Sequence, residues 1–173
     1  KVPGRNFRAN FPEEISGQIS RGYPTLKDSV DALVAMGENG CDVLEIGVPY
    51  SDPVMDGLVI QVATEEARAA GFVLRDVFEV IQQVRARVST PLLVMSYWNP
   101  VLRYGVEKFA EDMRASGAQG MITPDLVPDE AAQWLEVSQD KGLDRVFLVA
   151  PSSSNERVTA NADASKGFVY SVS

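Results

Sequence analysis

Three carboxylates stand close together in the first half of the chain. Glu45 interrupts an apolar run, and Asp52 and Asp56 follow it in a stretch rich in proline and glycine. Acids in different surroundings can divide proton transfer between them, because burial raises the pKa of one carboxyl while solvent keeps another ionised. The spacing therefore makes Glu45 the first candidate for an acid–base residue, with two further acids beside it.

Each acid also has a structural interpretation. Glu45 could form a salt bridge with a lysine or arginine elsewhere in the interior. Asp56 precedes a glycine and a helical stretch, and Asp52 precedes a proline, so both fit a helix cap or a turn. Their location favours function, since both follow the carboxyl end of the strand that carries Glu45, where catalytic groups of α/β folds collect. Asp125 follows a later predicted strand, and a turn is its expected role.

The composition removes several kinds of chemistry. The 173 residues include no histidine and a single cysteine, Cys41. A Ser-His-Asp triad, the usual zinc ligands and an internal disulfide are therefore excluded, and we predict no metal site. Proton transfer must rely on carboxylates, tyrosine, lysine or water.

Charge and hydropathy limit the partners. The net charge is −8 and the 16 Lys and Arg residues form no basic run, which argues against nucleic acid. No apolar run approaches the roughly 20 residues of a membrane span, so we predict no membrane association and a cytoplasmic location. With 45% hydrophobic and 23% charged residues, the chain fits one globular domain over 1–173 that begins with an irregular segment, 1–21.

A glycine separates a helical pattern from a short apolar run at four places, Gly40, Gly117, Gly142 and Gly167. Glycine just past a helix adopts the left-handed conformation that turns the chain back towards a strand. The repeat predicts a parallel sheet covered by helices. The predicted strands are 41–48, 91–97, 121–123, 145–150 and 168–172, with 15–20 as the candidate first strand.

Side-chain alternation places Glu45 on the opposite face of its strand from Leu44 and Ile46. The apolar face suits packing against helices, whereas the face with Glu45 and Gly47 suits a barrel interior or a crevice where ligands bind. A (β/α) barrel and a doubly wound sheet both remain open on these patterns. In either fold, Glu45 points towards a pocket.

The stretch LEIGVPYSDPVMDG, from Leu44 to Gly57, closely resembles the signature of the tryptophan synthase alpha chain family. Supporting stretches are GYPT at 22–25, MSYWNPV at 95–101, TPDL at 123–126, FLVAPSS at 147–153 and GFVY at 167–170. The resemblance covers about residues 22–173, and the WNP sequence at 98–100 is similar to the actinobacterial branch.

This resemblance implies a (β/α)8 TIM barrel that cleaves indole-3-glycerol phosphate to indole and glyceraldehyde 3-phosphate by a retro-aldol step. It implies no cofactor in this chain and a partner, a pyridoxal-phosphate-dependent β chain, in an α2β2 assembly. It implies Glu45 as the catalytic glutamate and Asp56 as the aspartate that engages the indole N–H. The implied substrate contacts are Tyr97, Ile122, Phe168 and Tyr170. The implied partner-facing residues are Pro49, Asp52, Pro53 and Pro128.

About six of the eight βα units of a complete barrel can be counted, so we expect a barrel truncated at its C-terminal side. The loops that hold the substrate phosphate in this family would then lie beyond Ser173. An alternative is a catalytically incomplete barrel that docks on the β chain and modulates it. A third hypothesis, another phosphate-handling barrel enzyme such as an isomerase of the same pathway, explains the inward carboxylate but not the whole 49–57 stretch.

Overall fold

The computed structural model describes residues 17–20 and 25–172, and its centre is a sheet of six strands. Each strand pairs in parallel with the next one along the chain, from the first to the sixth. The strands are β1 (Gly17–Ser20), β2 (Leu44–Gly47), β3 (Leu92–Met95), β4 (Gly120–Thr123), β5 (Asp144–Val149) and β6 (Tyr170–Ser171).

The unbroken strand order decides between the two folds that the patterns left open. A doubly wound sheet reverses its order at a switch point, whereas the strands of a (β/α) barrel follow one another around the axis. The order β1-β2-β3-β4-β5-β6 is that of a barrel, which confirms the prediction of about six βα units. The candidate first strand forms over Gly17–Ser20, and the remainder of the predicted irregular segment 1–21 lies outside the described residues.

Helices connect the strands and cover one side of the sheet. They are α1 (Leu26–Glu38), α2 (Leu58–Ala69), α3 (Asp76–Arg85), α4 (Trp98–Tyr104), α5 (Val106–Ser116), α6 (Ala132–Asp140) and α7 (Asn155–Ala164), with a 3-10 turn at Pro128–Glu130. Thr25 caps α1, where its hydroxyl oxygen accepts the Asp28 N–H.

The four glycines that separate helix from strand adopt the predicted conformation. Their φ angles are 96° at Gly40, 100° at Gly117, 65° at Gly142 and 101° at Gly167. A side chain is strained in this left-handed region, which explains why glycine recurs at these turns.

Apolar side chains form two layers, one on each face of the sheet. The outer layer joins the sheet to the helices and contains Leu44 and Ile46 of β2 together with the buried sides of the helices. The interior layer is smaller, centred on Leu93, Ile122 and Val146 of β3, β4 and β5. The carboxyl ends of the strands open onto the loops that carry the candidate site.

Candidate active site

Glu45 lies in the middle of β2 and is buried, with 2% of its surface exposed. Its register neighbour on β3 is Leu93, the centre of the interior layer, so the side chain lies on the interior face as alternation predicts. Its Oε1 atom has no hydrogen-bond partner among the described residues. The salt bridge that would have given Glu45 a structural role is absent from the part of the chain that the structure describes.

Burial sets the protonation behaviour of this carboxyl. Removal from water disfavours the charged form, which raises the pKa of Glu45 from 4.5 to about 7. No neighbouring cation among the described residues opposes the shift. Near neutral pH, Glu45 therefore exchanges a proton at little cost in either direction, which is the property that a general acid–base group needs.

Asp56 is half-buried in the loop between β2 and α2, and Tyr97 holds that loop. The Tyr97 hydroxyl accepts the Met55 N–H at 2.9 Å and also hydrogen-bonds to the Asp56 carboxyl. Burial raises the pKa of Asp56, and the bond from Tyr97 opposes part of that rise. Helix α2 has Gly57 at its N-cap and no capping side chain, so Asp56 does not act as the cap that its sequence context suggested.

The carboxyl side of β2 and β3 forms a small pocket. Asp56 and Tyr97 line it together with Gly47 of β2 and Met95 of β3, and Ile60 and Thr64 of α2 close its side. Gly47 and Met95 each lie two residues after an interior position, Glu45 and Leu93, so the pocket continues the interior face towards the loops.

The remaining predicted substrate contacts lie on the same interior face. Ile122 is buried at 1% exposure within the interior layer, and Phe168 and Tyr170 pack against that layer while remaining partly exposed. The structure thus places all six predicted catalytic and substrate-binding residues on one face of the sheet or at its carboxyl edge.

The four residues predicted to face a partner lie in loops at the carboxyl end of the sheet. Asp52 is exposed and accepts a bond from the Ser51 hydroxyl at 2.6 Å, while Pro49, Pro53 and Pro128 are partly exposed. Pro128 begins the 3-10 turn after β4, as its sequence position predicts.

An exposed apolar surface adjoins Pro53. It consists of Val54, Met55, Leu58, Val59 and Val62 at the end of the loop and the start of α2, with exposed fractions between 53% and 83%. A cluster of exposed large apolar side chains of this kind marks an interaction surface more often than an ordinary solvated one. The loop between β2 and α2, with the start of α2, therefore carries both Asp56, which lines the pocket, and an exposed apolar surface.

Sequence reasoning missed three residues that shape the site. Tyr50 packs its ring against that of Tyr97, with centroids 5.2 Å apart, and the Asn99 side chain donates to the Tyr50 hydroxyl at 3.1 Å. Asp125 is not merely a turn former, because its carboxylate accepts the Trp98 N–H at the start of α4. Only the position of these residues after predicted strands, at the edge where ligands bind, could have singled them out.

The described residues contain no group of three or more His, Cys, Asp or Glu side chains that could hold a metal ion. Within the same part of the chain, no helix is long and apolar enough to cross a membrane.

The fold and the site together define the class: a parallel (β/α) barrel protein with one buried acid within its second strand and another in the loop that follows it. The tryptophan synthase alpha chain family model matches residues 15–173. The chain belongs to this family, which argues against the isomerase hypothesis.

Relatives from actinobacteria are similar over most of the chain. The tryptophan synthase alpha chain of Leifsonia xyli subsp. xyli is 57% identical over 157 residues, covering 91% of this chain and 60% of the relative. That of Mycobacterium tuberculosis H37Rv is 51% identical over 166 residues, covering 96% and 61%. The chain thus spans about 60% of the length of these relatives.

Solved structures of the family superimpose closely. Tryptophan synthase from M. tuberculosis in its aminoacrylate-bound form gives a TM-score of 0.87 at 52% identity, over 90% of this chain and 63% of that one. A mutant alpha-subunit from Pyrococcus furiosus gives a TM-score of 0.85 at 34% identity, over 89% of this chain and 63% of that one. The six-stranded architecture is therefore that of the corresponding part of the family's barrel.

Proposed function

We propose that this chain is a lyase that cleaves indole-3-glycerol phosphate to indole and glyceraldehyde 3-phosphate, as the alpha chain of tryptophan synthase. The observation that carries the proposal is Glu45, a buried carboxyl with a pKa of about 7 whose Oε1 has no hydrogen-bond partner among the described residues, facing the same interior as the Asp56–Tyr97 pair. Family membership supplies the substrate class, and the two acids supply the chemistry.

The proposed reaction needs one proton moved within the substrate. Glu45 protonates indole C3, and the resulting positive charge spreads to the ring nitrogen. The hydroxyl on the carbon attached to C3 then loses its proton to Glu45, the carbon–carbon bond breaks, and its electrons return to the ring. An aldehyde and indole leave, and Glu45 is again protonated, so a carboxyl with a pKa near the working pH serves both steps.

Asp56 has the complementary role. Its carboxylate accepts a hydrogen bond from the indole N–H and stabilises the positive charge that develops there. The Tyr97 hydroxyl favours the ionised form of Asp56 and fixes the loop through the Met55 N–H. We assign Tyr97, Ile122, Phe168 and Tyr170 to the walls around the indole ring. No step requires a metal ion or a cofactor in this chain.

We further propose that the partner is a tryptophan synthase β chain in an α2β2 assembly, which would carry the pyridoxal phosphate. The surface proposed for this contact comprises Pro49, Asp52, Pro53 and Pro128 with the adjoining apolar side chains of the α2 loop. The exposure of Val54, Leu58 and Val59, at 79% or more, supports the assignment. A cytoplasmic location accords with a biosynthetic enzyme of this kind.

The test is indole formation from indole-3-glycerol phosphate by this chain, with and without added β chain. Glu45→Gln should abolish turnover while leaving the chain folded, because the amide cannot exchange the proton. Glu66→Gln on the exposed side of α2 is the matched control and should retain turnover. Undiminished cleavage by folded Glu45→Gln would remove Glu45 from the mechanism.

A second function, docking on the β chain without cleavage, is favoured by the exposed apolar surface. The same assay separates the two. Turnover supports the lyase, whereas binding or activation of the β chain without any turnover supports the docking module.

A further inference from the structure

Helix α4 begins without a capping side chain from its own segment. The N-cap residue Tyr97 makes no side-chain bond to the helix. Instead, Asp125 reaches across from the loop after β4, and its two carboxylate oxygens lie 2.8 Å and 3.1 Å from the Trp98 nitrogen, whose N–H they accept. A carboxylate is stabilised at this end of a helix because the first N–H groups lack partners within the helix.

Asp125 binds the backbone of Trp98, and the preceding residue, Tyr97, binds the loop that carries Asp56. Tyr97 directly precedes Trp98, and its ring is buried at 5% exposure. Its hydroxyl binds the Met55 N–H at 2.9 Å and the Asp56 carboxyl. A continuous set of contacts therefore runs from the loop after β4, through the start of α4, to the loop after β2.

The direction in which the Tyr97 ring enters the pocket depends on this backbone. Tyr97 has extended backbone angles, φ −62° and ψ 153°, and the chain becomes helical at the next residue. The Trp98 N–H is the first peptide group after the ring, so the bond to Asp125 fixes the orientation of the peptide plane that follows Tyr97. The ring of Tyr50 supports the other side at a centroid distance of 5.2 Å.

We propose that Asp125 is a positioning residue for Asp56, which acts by holding the Trp98 N–H and so directing the Tyr97 hydroxyl onto the Met55 N–H and the Asp56 carboxyl. Asp125 touches neither Met55 nor Asp56 in this arrangement; it acts through Tyr97. The purpose of this positioning, which is to let Asp56 stabilise positive charge on an indole nitrogen, rests on the proposed function. The positioning itself can be tested without turnover.

The test is hydrogen exchange of individual backbone amides, measured by NMR on the 15N-labelled chain. Asp125→Ala should speed exchange at Trp98 directly and at Met55 through Tyr97, each by about five- to tenfold, the range for loss of one hydrogen bond. Asp125→Asn keeps a carbonyl oxygen that can accept the Trp98 N–H, so it should restore most of the protection at both amides. Asp76→Ala is the matched control, since Asp76 also binds a main-chain N–H at a helix start, that of Val73 at 2.9 Å, but lies outside the site.

A double-mutant cycle with Tyr97→Phe decides whether the effect passes through the hydroxyl. Tyr97→Phe should speed exchange at Met55 and leave Trp98 protected. Adding Asp125→Ala to this variant should then have no further effect at Met55. The proposal is overturned if Asp125→Ala leaves Met55 as protected as Asp76→Ala does, or if it speeds Met55 exchange equally with and without the Tyr97 hydroxyl.

Turnover supplies the functional readout. If the chain cleaves indole-3-glycerol phosphate, Asp125→Ala should lower kcat at least tenfold with a smaller effect on KM, and Asp125→Asn should recover most of it. Unaltered kcat in Asp125→Ala would overturn the catalytic purpose of the positioning. If the unsubstituted chain shows no turnover, the lyase proposal fails for this chain, and the exchange experiment still decides whether Asp125 positions Tyr97.

Discussion

The pKa of Glu45 makes a quantitative prediction about stability. In the unfolded chain the carboxyl titrates at its ordinary pKa of 4.5, whereas in the folded chain burial raises that pKa to about 7. Between these values the folded state holds a proton that the unfolded state has lost. The free energy of unfolding must therefore fall as the pH rises through this window.

The magnitude follows from the two pKa values. One pKa unit corresponds to about 1.4 kcal/mol, so the full separation is worth about 3 kcal/mol. The carboxyl imposes no penalty below pH 4.5, where both states are protonated, and the full penalty well above pH 7, where both are ionised. Because the side chain is only 2% exposed, solvent screening does not reduce this figure appreciably.

Glu45→Gln isolates the effect from every other titrating group. The amide has nearly the same shape and no charge, so the variant should match the unsubstituted chain in stability near pH 4 and exceed it by about 3 kcal/mol near pH 8. Urea unfolding of both chains at several pH values measures this difference. Glu66→Gln, which removes an exposed carboxylate, should change stability by less than about 0.5 kcal/mol.

A difference between Glu45→Gln and the unsubstituted chain that stays constant from pH 4 to pH 8 would refute the reasoning. It would mean that Glu45 is paired or hydrated in solution, and a general acid–base role at neutral pH would lose its physical basis. If Glu45→Gln is more stable than the unsubstituted chain only at high pH and has also lost turnover, the buried carboxyl lowers the stability of the fold but is needed for the reaction.

Three further substitutions test the packing and the site. Tyr97→Phe removes the hydroxyl that favours ionised Asp56, so the pKa of the Asp56 carboxyl should rise further, which 13C NMR titration of the aspartates would measure. An unchanged pKa would show that the Tyr97 hydroxyl does not control the ionisation of Asp56. Gly120→Ala would bring a Cβ atom to 2.3 Å from the Asp144 carbonyl oxygen, so it should lower the free energy of unfolding in urea by about 1–3 kcal/mol. Gly57→Ala is the control that should be tolerated, because a Cβ atom there meets nothing within 4 Å. Thr25→Ala removes the side-chain acceptor of the Asp28 N–H and should lower the free energy of unfolding by about 1 kcal/mol, a loss that Thr25→Ser should largely avoid.

The sequence predicts those parts of the fold that are encoded locally. The four glycines after helices and the alternation around Glu45 each depend on a few neighbouring residues, and the structure has both features. Four of the six predicted strands, 15–20, 41–48, 91–97 and 168–172, are longer than the strands observed there, since their apolar character extends beyond the paired residues. Patterns along the chain also left open whether the sheet is a barrel, because strand order is a property of pairing between distant segments.

The parts of the site that the sequence does not predict are contacts between residues that lie far apart in the chain. The bond from Asp125 to Trp98 joins residues 27 positions apart, and that from Met55 to Tyr97 joins residues 42 apart. Such contacts arise only because β2, β3 and β4 are consecutive in the sheet and their loops meet at one edge. In sequence, an aspartate near a proline fits a turn equally well, so Asp125 could not be recognised as a cap of another segment's helix.

The two acids of the site are tuned by different means, and this difference supports the roles proposed for them. The Oε1 atom of Glu45 has no hydrogen-bond partner among the described residues, and desolvation brings the pKa of this carboxyl to about 7, which suits it to take up and release a proton. Asp56 is less buried and receives a hydrogen bond from Tyr97, which favours its ionised form and suits it to stabilise a positive charge. In the proposed mechanism Tyr97 therefore matters alongside the second acid, because its hydrogen bond to Asp56 keeps the two carboxyls different.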